Sequence, residues 1–329
     1  MKILTLSDLW PPYPGGAERM TCNLTLALQE RGAEVLVLTS YGKMLGFEHG
    51  PAASFSGGVP VHFRNIGCRA NNRHEQGWDC IRNFVAEHKP DIILTHQFFP
   101  DEFREELPTL GIPIVQIVHA SPRWPYVKFA IYNSEYTRKR HTISDKDMVI
   151  HPPAFEDCVA SFHGKAIGFI KPVSHKGVDL VYKIAEKLPH RHFVVLRGEW
   201  WHFDKLSNLP NVEYIAPVDN MRDFYRRCQL MLVPSTVEDA GTVPQEATLN
   251  GIPCISTGAG GLVETNAGGL IIPEHDLDGW LFQIENLLKI PTAYSAVVER
   301  QRAHLQTFNW KNKFDKLYQS MLELCNETR

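Results

Sequence analysis

Ala166-Ile-Gly-Phe-Ile170 is an apolar run that predicts a β-strand, and a helical pattern from Gly177 to Leu188 follows it. The segment before it, from about Ile150 to Lys165, contains Pro152-Pro153 and shows no clear periodicity. Strands that alternate with helices predict parallel sheets covered by helices on both faces. A second unit of this kind therefore begins near residue 156, with further strands predicted at 193–196, 212–215, 230–233, 253–256 and 270–272.

The residues before this boundary show the same alternation. Lys2-Ile-Leu-Thr-Leu6 is the first predicted strand, and a helical pattern then runs to Gly32, a residue suited to end a helix. Further strands are predicted at 35–38, 61–63, 91–95, 114–118 and 129–132. The predicted fold class is therefore α/β, with two Rossmann-like, doubly wound domains.

The predicted domains are residues 1–155 and residues 156–308, and a C-terminal helix over 309–329 is expected to pack back on the first domain. Ligands of open α/β sheets bind outside the carboxyl ends of the strands. With two such domains, a ligand site is expected in a cleft where they face each other.

The composition is that of an ordinary globular protein, since the 329 residues are 43% hydrophobic and 22% charged, with a formal net charge of −3. Without a broad basic surface, nucleic-acid binding is not expected as the main role. The seven cysteines are scattered and form no Cys-x-x-Cys pair, as in reducing compartments. No apolar run approaches about eighteen residues, so the sequence predicts a cytoplasmic protein with at most peripheral contact at the inner face of a membrane.

Two glutamates mark the segment Val237-Glu238-Asp-Ala-Gly241-Thr242-Val243-Pro244-Gln-Glu246, which follows a predicted strand and enters a helix. A carboxylate on a strand-end loop can accept hydrogen bonds from sugar hydroxyls, and one in a first helical turn can hold a ribose diol. The backbone N–H groups of Gly241, Thr242 and Val243 are expected to point out of the helix start, where a phosphate or a sugar oxygen is favoured. Helix capping explains two such acids equally well, so the spacing alone leaves both interpretations open.

This segment resembles the retaining glycosyltransferases of family 4, which have the GT-B fold and carry two glutamates at this spacing. The likeness continues through Gly260-Gly261 to Gly269-Leu-Ile-Ile-Pro273. It implies that Glu246 holds the ribose of a sugar nucleotide and that Glu238 acts in catalysis at the donor sugar. It also implies transfer of the sugar to a hydroxyl of a glycan, a glycolipid or a small metabolite, with no cofactor and no metal.

The segment Gly168-Phe-Ile-Lys171-Pro-Val-Ser-His175-Lys176-Gly177 is similar to the family's phosphate-binding strand, loop and helix start. The resemblance assigns Lys176 to the donor phosphate and to catalysis. The arginine that the family usually carries after the first glycine is Phe169 here, and the loop to Lys176 is longer. Lys171 is the candidate to supply the missing charge, although lysine lacks the forked donor set of arginine.

In the first half, Gly15-Gly16 lies between the first predicted strand and the first predicted helix. Paired glycines let a backbone approach a ligand closely, although a tight turn needs them too. Their position resembles the family's glycine loop, which predicts Gly15 and Gly16 beside the donor phosphate. His119 ends the strand at 114–118 and resembles the family histidine near the donor sugar, so it is predicted to be catalytic; His96 occupies an analogous strand end.

Two Asp-x-Asp patterns, Asp145-Lys-Asp147 and Asp276-Leu-Asp278, have the form that binds metal in the GT-A class of glycosyltransferases. Neither follows a strand in the required setting, and capping of the next helix explains Asp276. Two rival functions stay open. One is a sugar-nucleotide epimerase on the same architecture, and the other is a non-catalytic nucleotide-sugar-binding protein, which the Phe169 departure favours.

Overall fold

The computed structural model describes residues 1–7, 10, 15–39, 50–52, 58–63, 66, 74–96, 103–119, 122–154, 158–198, 205–218 and 220–327. The chain divides into two compact units. The first unit consists of Met1–Ile150 together with Trp310–Arg329, and the second unit consists of His151–Asn309. The chain therefore leaves the first unit after residue 150 and returns to it at residue 310.

A mainly parallel sheet forms the centre of the first unit. Its strands are β1 (Lys2–Ser7), β2 (Glu34–Thr39), β3 (Gly50–Ala52), β4 (Val61–Phe63), β5 (Ile92–His96), β6 (Ile114–Val118), β7 (Phe129–Tyr132) and β8 (Met148–Val149). They lie in the order β3-β4-β2-β1-β5-β6-β7-β8, and among the pairings described only β3 with β4 is antiparallel. The chain leaves β1 for β2 on one side and later places β5 on the other. The carboxyl ends of β1 and β5 thus form a topological switch point, where ligands of such sheets bind.

A parallel sheet also forms the centre of the second unit. Its strands are β9 (Ala166–Ile170), β10 (Phe193–Leu196), β11 (Val212–Ile215), β12 (Cys228–Val233), β13 (Cys254–Ser256) and β14 (Leu270–Ile271). Their order is β11-β10-β9-β12-β13-β14, and every pairing described is parallel. The switch point of this sheet lies between β9 and β12.

Helices cover both faces of each sheet. They are α1 (Gly16–Glu30), α2 (His74–His88), α3 (Glu135–Arg138), α4 (Val178–Lys187), α5 (Arg222–Tyr225), α6 (Val243–Leu249), α7 (Leu262–Thr265), α8 (Leu277–Lys289), α9 (Pro291–Thr307) and α10 (Trp310–Glu327). In the second unit, α4 and α8 bury Val181 and Ile284 on one face of the sheet. Phe224, Ala247 and Leu262, from α5, α6 and α7, are buried on the other face.

The first unit includes the C-terminal helix in its core. Leu24 of α1 and Leu317 of α10 belong to one buried apolar cluster with the strands of the sheet. At the end of α1, Arg31 donates to Asp315 of α10 at 2.8 Å and its guanidinium lies over the Phe314 ring. The opposite face of the sheet is covered in part by α2. Residues near both ends of the chain therefore build one hydrophobic core.

The predicted fold class is confirmed, since both units are α/β structures around parallel strands. The strands predicted at 61–63, 114–118, 129–132, 166–170, 193–196 and 212–215 have the observed bounds. β3 and β8 were not predicted, because β3 consists of glycine, proline and alanine and β8 has only two residues, too few to show a pattern. The helix predicted around 221–228 is shorter than expected, because β12 already begins at Cys228.

Candidate active site

Two loops meet at the switch point of the second sheet. One follows β9 and carries Lys171, His175 and Lys176, and the other follows β12 and carries Glu238. The loops are joined directly, because the Thr236 N–H donates to the carbonyl oxygen of His175 at 2.9 Å. The topology therefore brings together two sequence motifs that lie about sixty residues apart along the chain.

Gly177 determines how closely these loops approach. Its φ is +82°, and an added Cβ would lie 2.1 Å from the carbonyl oxygen of Pro234. Any L-residue there would meet both a left-handed backbone and a steric overlap with the neighbouring loop. Glycine at this position is what allows Lys176, the preceding residue, to lie against the β12 loop.

The Lys176 ammonium donates to Glu238 Oε2 at 2.5 Å, and Ser235 Oγ donates to the same oxygen at 3.2 Å. The side chains of Lys176 and Glu238 are 24% and 16% exposed, so the ion pair is largely shielded but still reached by solvent. In such surroundings a charge-assisted hydrogen bond is stronger than one in open water. The predicted phosphate lysine and the predicted donor-sugar glutamate therefore hold each other in place.

His175 is surrounded by the same charges. Burial, followed by the charge of Lys176, lowers the pKa of His175, while Glu238 acts in the opposite sense and Lys171 adds to the lowering. A histidine with a lowered pKa is neutral at pH 7. The positive charge of this loop near neutral pH is therefore that of its lysines.

Phe169 and Lys171 occupy different environments. Phe169 is 1% exposed and packs in the apolar core under the sheet, so this position does not face the site. Lys171 follows the strand with a φ of +58°, which is uncommon for a residue with a side chain. Its methylene groups lie close to Gly198, where an added Cβ would be 3.2 Å from Lys171 Cγ. The strand end thus directs an exposed lysine, rather than the residue after Gly168, toward solvent at the switch point.

Glu246 lies in the first turn of α6. Its Oε2 accepts a hydrogen bond from the Tyr225 hydroxyl at 2.6 Å. Tyr225 is fully buried, and burial, with Glu246 next to it, raises its pKa well above the usual value. The phenol therefore keeps its proton and acts as a donor to the carboxylate.

The turn before α6 contains the predicted amide donors. Gly241 has a φ of +79°, and an added Cβ would lie 3.3 Å from Glu238 Cγ. The N–H groups of Gln245 and Glu246 both donate to the Thr242 carbonyl oxygen. The first N–H groups of a helix have no partner within that helix. The N–H groups of Gly241, Thr242 and Val243 lie before those of Gln245 and Glu246, which make the first hydrogen bonds of α6.

In the first unit, Gly16 is the first residue of α1 and Gly15 is its N-cap, and β1 is the strand that precedes this helix along the chain. Gly15 is extended, and an added Cβ would lie 1.7 Å from Glu18 Oε2, so the Glu18 carboxylate folds over this glycine. An acidic group in the first turn is stabilised by the helix dipole. An acidic side chain thus lies at the helix start where the sequence predicts a phosphate, and the assignment of Gly15 and Gly16 stays a prediction.

His119 and His96 form a buried pair at the ends of β6 and β5. Their Nδ1 and Nε2 atoms are 2.8 Å apart, and the rings meet edge to face with centroids 4.7 Å apart. Burial lowers the pKa of His119 to about 4 and that of His96 well below its ordinary value. Both rings are therefore neutral near pH 7, so His119 can offer a neutral hydrogen-bonding group but no positive charge.

The two Asp-x-Asp patterns serve the fold. The Asp147 side chain is 1% exposed and accepts hydrogen bonds from the Arg123 guanidinium and from the N–H groups of Ala130 and Ser144. Asp276 caps α8 by accepting from the Gly279 N–H at 2.9 Å, as predicted. Across the described residues, no group of three or more His, Cys, Asp or Glu side chains could hold a metal ion.

Sequence reasoning missed Tyr225 and Ser235 as parts of the site. Ser235 lies two residues before the quoted glutamate segment, and its short polar side chain near a strand end was an available signal. Tyr225 lies 21 residues from Glu246, and a tyrosine before an apolar strand is most simply interpreted as core.

The two parallel sheets with their covering helices define a fold class, the GT-B fold. The fold is similar to sucrose-phosphate synthase from Thermosynechococcus elongatus over 98% of this chain and 100% of that chain, with a TM-score of 0.79 and 15% identity. It is also similar to Anabaena HepE in complex with UDP-glucose, over 98% of this chain and 99% of that chain, with a TM-score of 0.74 and 15% identity.

Within this class, two family models match the chain. The model described as Glycosyltransferase Family 4 matches residues 14–152, and the model described as Glycosyl transferases group 1 matches residues 164–289. The chain belongs to the family-4 glycosyltransferases, as the sequence resemblance predicted.

Curated glycosyltransferases are similar to parts of this chain. The D-inositol 3-phosphate glycosyltransferase of Mycobacterium avium (strain 104) is 30% identical over 192 residues, which is 53% of this chain and 44% of that protein. The protein of the same name from Rhodococcus opacus (strain B4) is 31% identical over 105 residues, which is 31% of this chain and 24% of that protein. The aligned stretches thus span less than half the length of these relatives. Among the helices of the described chain, none is long and apolar enough to cross a membrane.

Proposed function

We propose that this protein transfers a sugar from a nucleoside-diphosphate sugar to a hydroxyl acceptor and retains the configuration at the anomeric carbon. The observation that carries the proposal is the meeting of Lys176 and Glu238 at the switch point of the second sheet. Glu246 lies in the helix that begins just after Glu238. Membership of family 4 supports assigning these three side chains to a nucleotide-sugar donor.

In the proposed site, Glu246 accepts hydrogen bonds from the ribose and Glu238 contacts the donor sugar. Lys176 and the amides of Gly241–Val243 stabilise the diphosphate, and Lys171 supplies further positive charge. Departure of the diphosphate is the demanding event, because negative charge builds on its oxygens while the anomeric carbon becomes cationic. Fixed donors aimed at that charge lower the barrier.

The bond from the anomeric carbon to the phosphate oxygen breaks, and a bond from that carbon to the acceptor oxygen forms on the same face. The departing phosphate takes the acceptor's proton, so no side chain acts as a nucleophile. The family resemblance assigns the acceptor to the first unit and requires no metal. On this proposal, addition of EDTA leaves the transfer rate unchanged.

Donor and acceptor are found by screening. HepE was solved with UDP-glucose and with UDP, which makes UDP-sugars the first donors to test, beside those of GDP, ADP, dTDP and CMP. The names of the curated relatives make D-inositol 3-phosphate the first acceptor to test. A thermal-shift screen with nucleotides and their sugars identifies the donor, and chromatography of the reaction mixture identifies the product.

Two variants test the assigned roles. Glu246→Ala is expected to weaken donor binding about 10- to 100-fold, because a hydrogen-bonded carboxylate is removed. Lys176→Ala is expected to slow transfer about 100-fold, because the leaving charge loses a donor. Matched controls are Glu186→Ala and Lys187→Ala, which remove exposed charges at the far end of α4. The proposal is overturned if both site variants keep wild-type kinetics and an unchanged circular dichroism spectrum. It is also overturned if the protein isomerises the donor in the absence of an acceptor.

A further inference from the structure

The Tyr225 hydroxyl and the Glu246 carboxylate come from different elements. Tyr225 ends the short helix α5, just before β12, whereas Glu246 lies in α6 after that strand. The hydroxyl donates to Glu246 Oε2 at 2.6 Å. This length is typical of an O–H donor bound to an ionised carboxylate, which is among the stronger hydrogen bonds in proteins.

The tyrosine has little freedom to move. Its side chain is fully buried, its ring meets Phe224 edge to face with centroids 5.4 Å apart, and it packs in the core with Ala247 and Leu262. Glu246, in contrast, is only partly buried. One end of this hydrogen bond is therefore fixed by the core, and the other end is a side chain that reaches the site.

The groups around the phenol keep it a donor. Cys158 and Cys228 are both buried beside Tyr225, and burial raises the pKa of Cys228 to about 12. Burial likewise raises the pKa of Tyr225. The phenol thus retains its proton over the working range of an enzyme, and Glu246 is the acceptor it faces.

We propose that Tyr225 is a positioning residue that holds the Glu246 carboxylate in the orientation that accepts the ribose hydroxyls of the donor nucleotide. The inference rests on the proposed function, because it takes Glu246 as the ribose contact. A glutamate side chain has three rotatable bonds, and fixing them before the ligand arrives lowers the entropy lost on binding. Tyr225 itself does not touch the nucleotide.

A purely structural tyrosine and a positioning tyrosine predict different results. Loss of a structural hydrogen bond weakens the binding of all nucleotides alike, or lowers only the melting temperature. Loss of a positioning hydrogen bond weakens only ligands that carry the ribose hydroxyls. The ratio of affinities for UDP and for 2′,3′-dideoxy-UDP is therefore the informative quantity, since only the first presents the diol.

The experiment is isothermal titration calorimetry of the full chain with UDP and 2′,3′-dideoxy-UDP, and with the corresponding GDP pair in parallel. The affinity of the wild-type protein for the ribose form is expected to exceed that for the dideoxy form about tenfold or more, because the ribose hydroxyls donate to a charged group. In Tyr225→Phe the affinity for the ribose form is expected to fall about tenfold. Its affinity for the dideoxy form is expected to stay unchanged, which also shows that the variant is folded.

Tyr294→Phe is the matched control. Its hydroxyl also makes a hydrogen bond within the second unit, to the carbonyl oxygen of Gln229 at 3.0 Å, and it does not contact Glu246. This variant is expected to keep the wild-type ratio. Glu246→Gln is expected to lose the ratio, as Tyr225→Phe does.

The outcomes separate the two proposals. A wild-type ratio near one, or a wild-type ratio retained by Glu246→Gln, overturns the ribose role of Glu246. Two outcomes contradict the positioning role of Tyr225, provided that Glu246→Gln loses the preference for the ribose form. In one, Tyr225→Phe keeps that preference; in the other, Tyr225→Phe loses affinity for both nucleotide forms equally.

Discussion

At the scale of single residues, Lys176 has two anionic partners in the proposed site. Lys176 donates to Glu238, and in the proposed function it also stabilises the donor diphosphate. One ammonium has enough protons to donate to both, but its single positive charge is then shared between two anions, so neither is stabilised as strongly as it would be alone. Glu238 therefore competes with the phosphate for the lysine while it contacts the sugar.

Glu238→Gln tests this competition. A neutral amide holds Lys176 more weakly and repels a phosphate less, so the affinity for UDP is expected to rise about three- to tenfold. Transfer is expected to slow, because the contact to the donor sugar is altered. Calorimetry with UDP and the rate of product formation measure the two effects separately.

Glu213→Gln is the control for the change in net charge. Glu213 pairs with Arg227 in the same unit and does not contact Lys176. If Glu213→Gln raises the UDP affinity as much as Glu238→Gln does, a general field effect rather than the ion pair is responsible.

The sequence could name Lys176, Glu238 and Glu246 because each lies in a contiguous motif whose spacing resembles a family. Tyr225 could not be named, because its partner is set by how α5 and α6 pack around β12. The pairing of His96 with His119 was hidden for the same reason, since it depends on β5 and β6 lying side by side.

At the scale of elements, the loop after β9 depends on a glycine in two ways. Gly177 has a left-handed backbone and also packs against Pro234. Gly177 ends the 3₁₀-helix Ser174–Lys176, and Gly111 ends a similar one, Leu107–Leu110, with a φ of +69°. An added Cβ at Gly111, however, meets no atom within 4 Å. Alanine substitutions at Gly111 and Gly177 therefore separate the free-energy cost of backbone strain from that of steric overlap.

Gly111→Ala is expected to lower the free energy of unfolding by about 1 kcal/mol, the cost of a left-handed alanine. Gly177→Ala is expected to lower it by about 2 to 4 kcal/mol, because the added methyl also overlaps Pro234. Urea denaturation measures both values. Equal losses in the two variants contradict the role of the close approach.

The prediction of strands and helices succeeded where apolar runs are continuous. It was less accurate where backbone pairing alone forms the strand. The long inner strands of both sheets were located from their runs of apolar residues. β3, with three residues, and β8, with two, carry no comparable signal. The close contact of the β9 and β12 loops also has no local signature, because Gly177 looks like any glycine before a helix.

At the scale of the whole molecule, the first unit is built from two separate parts of the chain. Leu317 of α10 is fully buried in the same apolar cluster as Leu24 of α1. Leu317→Ala is expected to destabilise the first unit by about 2 to 5 kcal/mol, the usual cost of such a cavity. Hydrogen exchange measured by mass spectrometry is expected to show lost protection in β1 and β2, and retained protection in β9 and β10.

Ile284→Ala is the converse variant, because Ile284 is fully buried in the core of the second unit. It is expected to lower protection in β9 and β10 and to leave β1 and β2 protected. Equal loss in both units from either variant contradicts separate cores, and means that the two units unfold together.

The place of α10 also sets an order of events during synthesis. Residues 151–309 leave the ribosome before α10 does, so the second unit is complete while the first still shows an open apolar face. The open face persists from residue 150 until α10 is made, about 180 residues later. At about 5 to 20 residues per second, this interval lasts roughly 9 to 36 s. Nascent chains halted at residue 309 are therefore expected to lose residues 1–150 to protease faster than chains that include α10. During that interval the nascent first unit is the part that requires protection by chaperones.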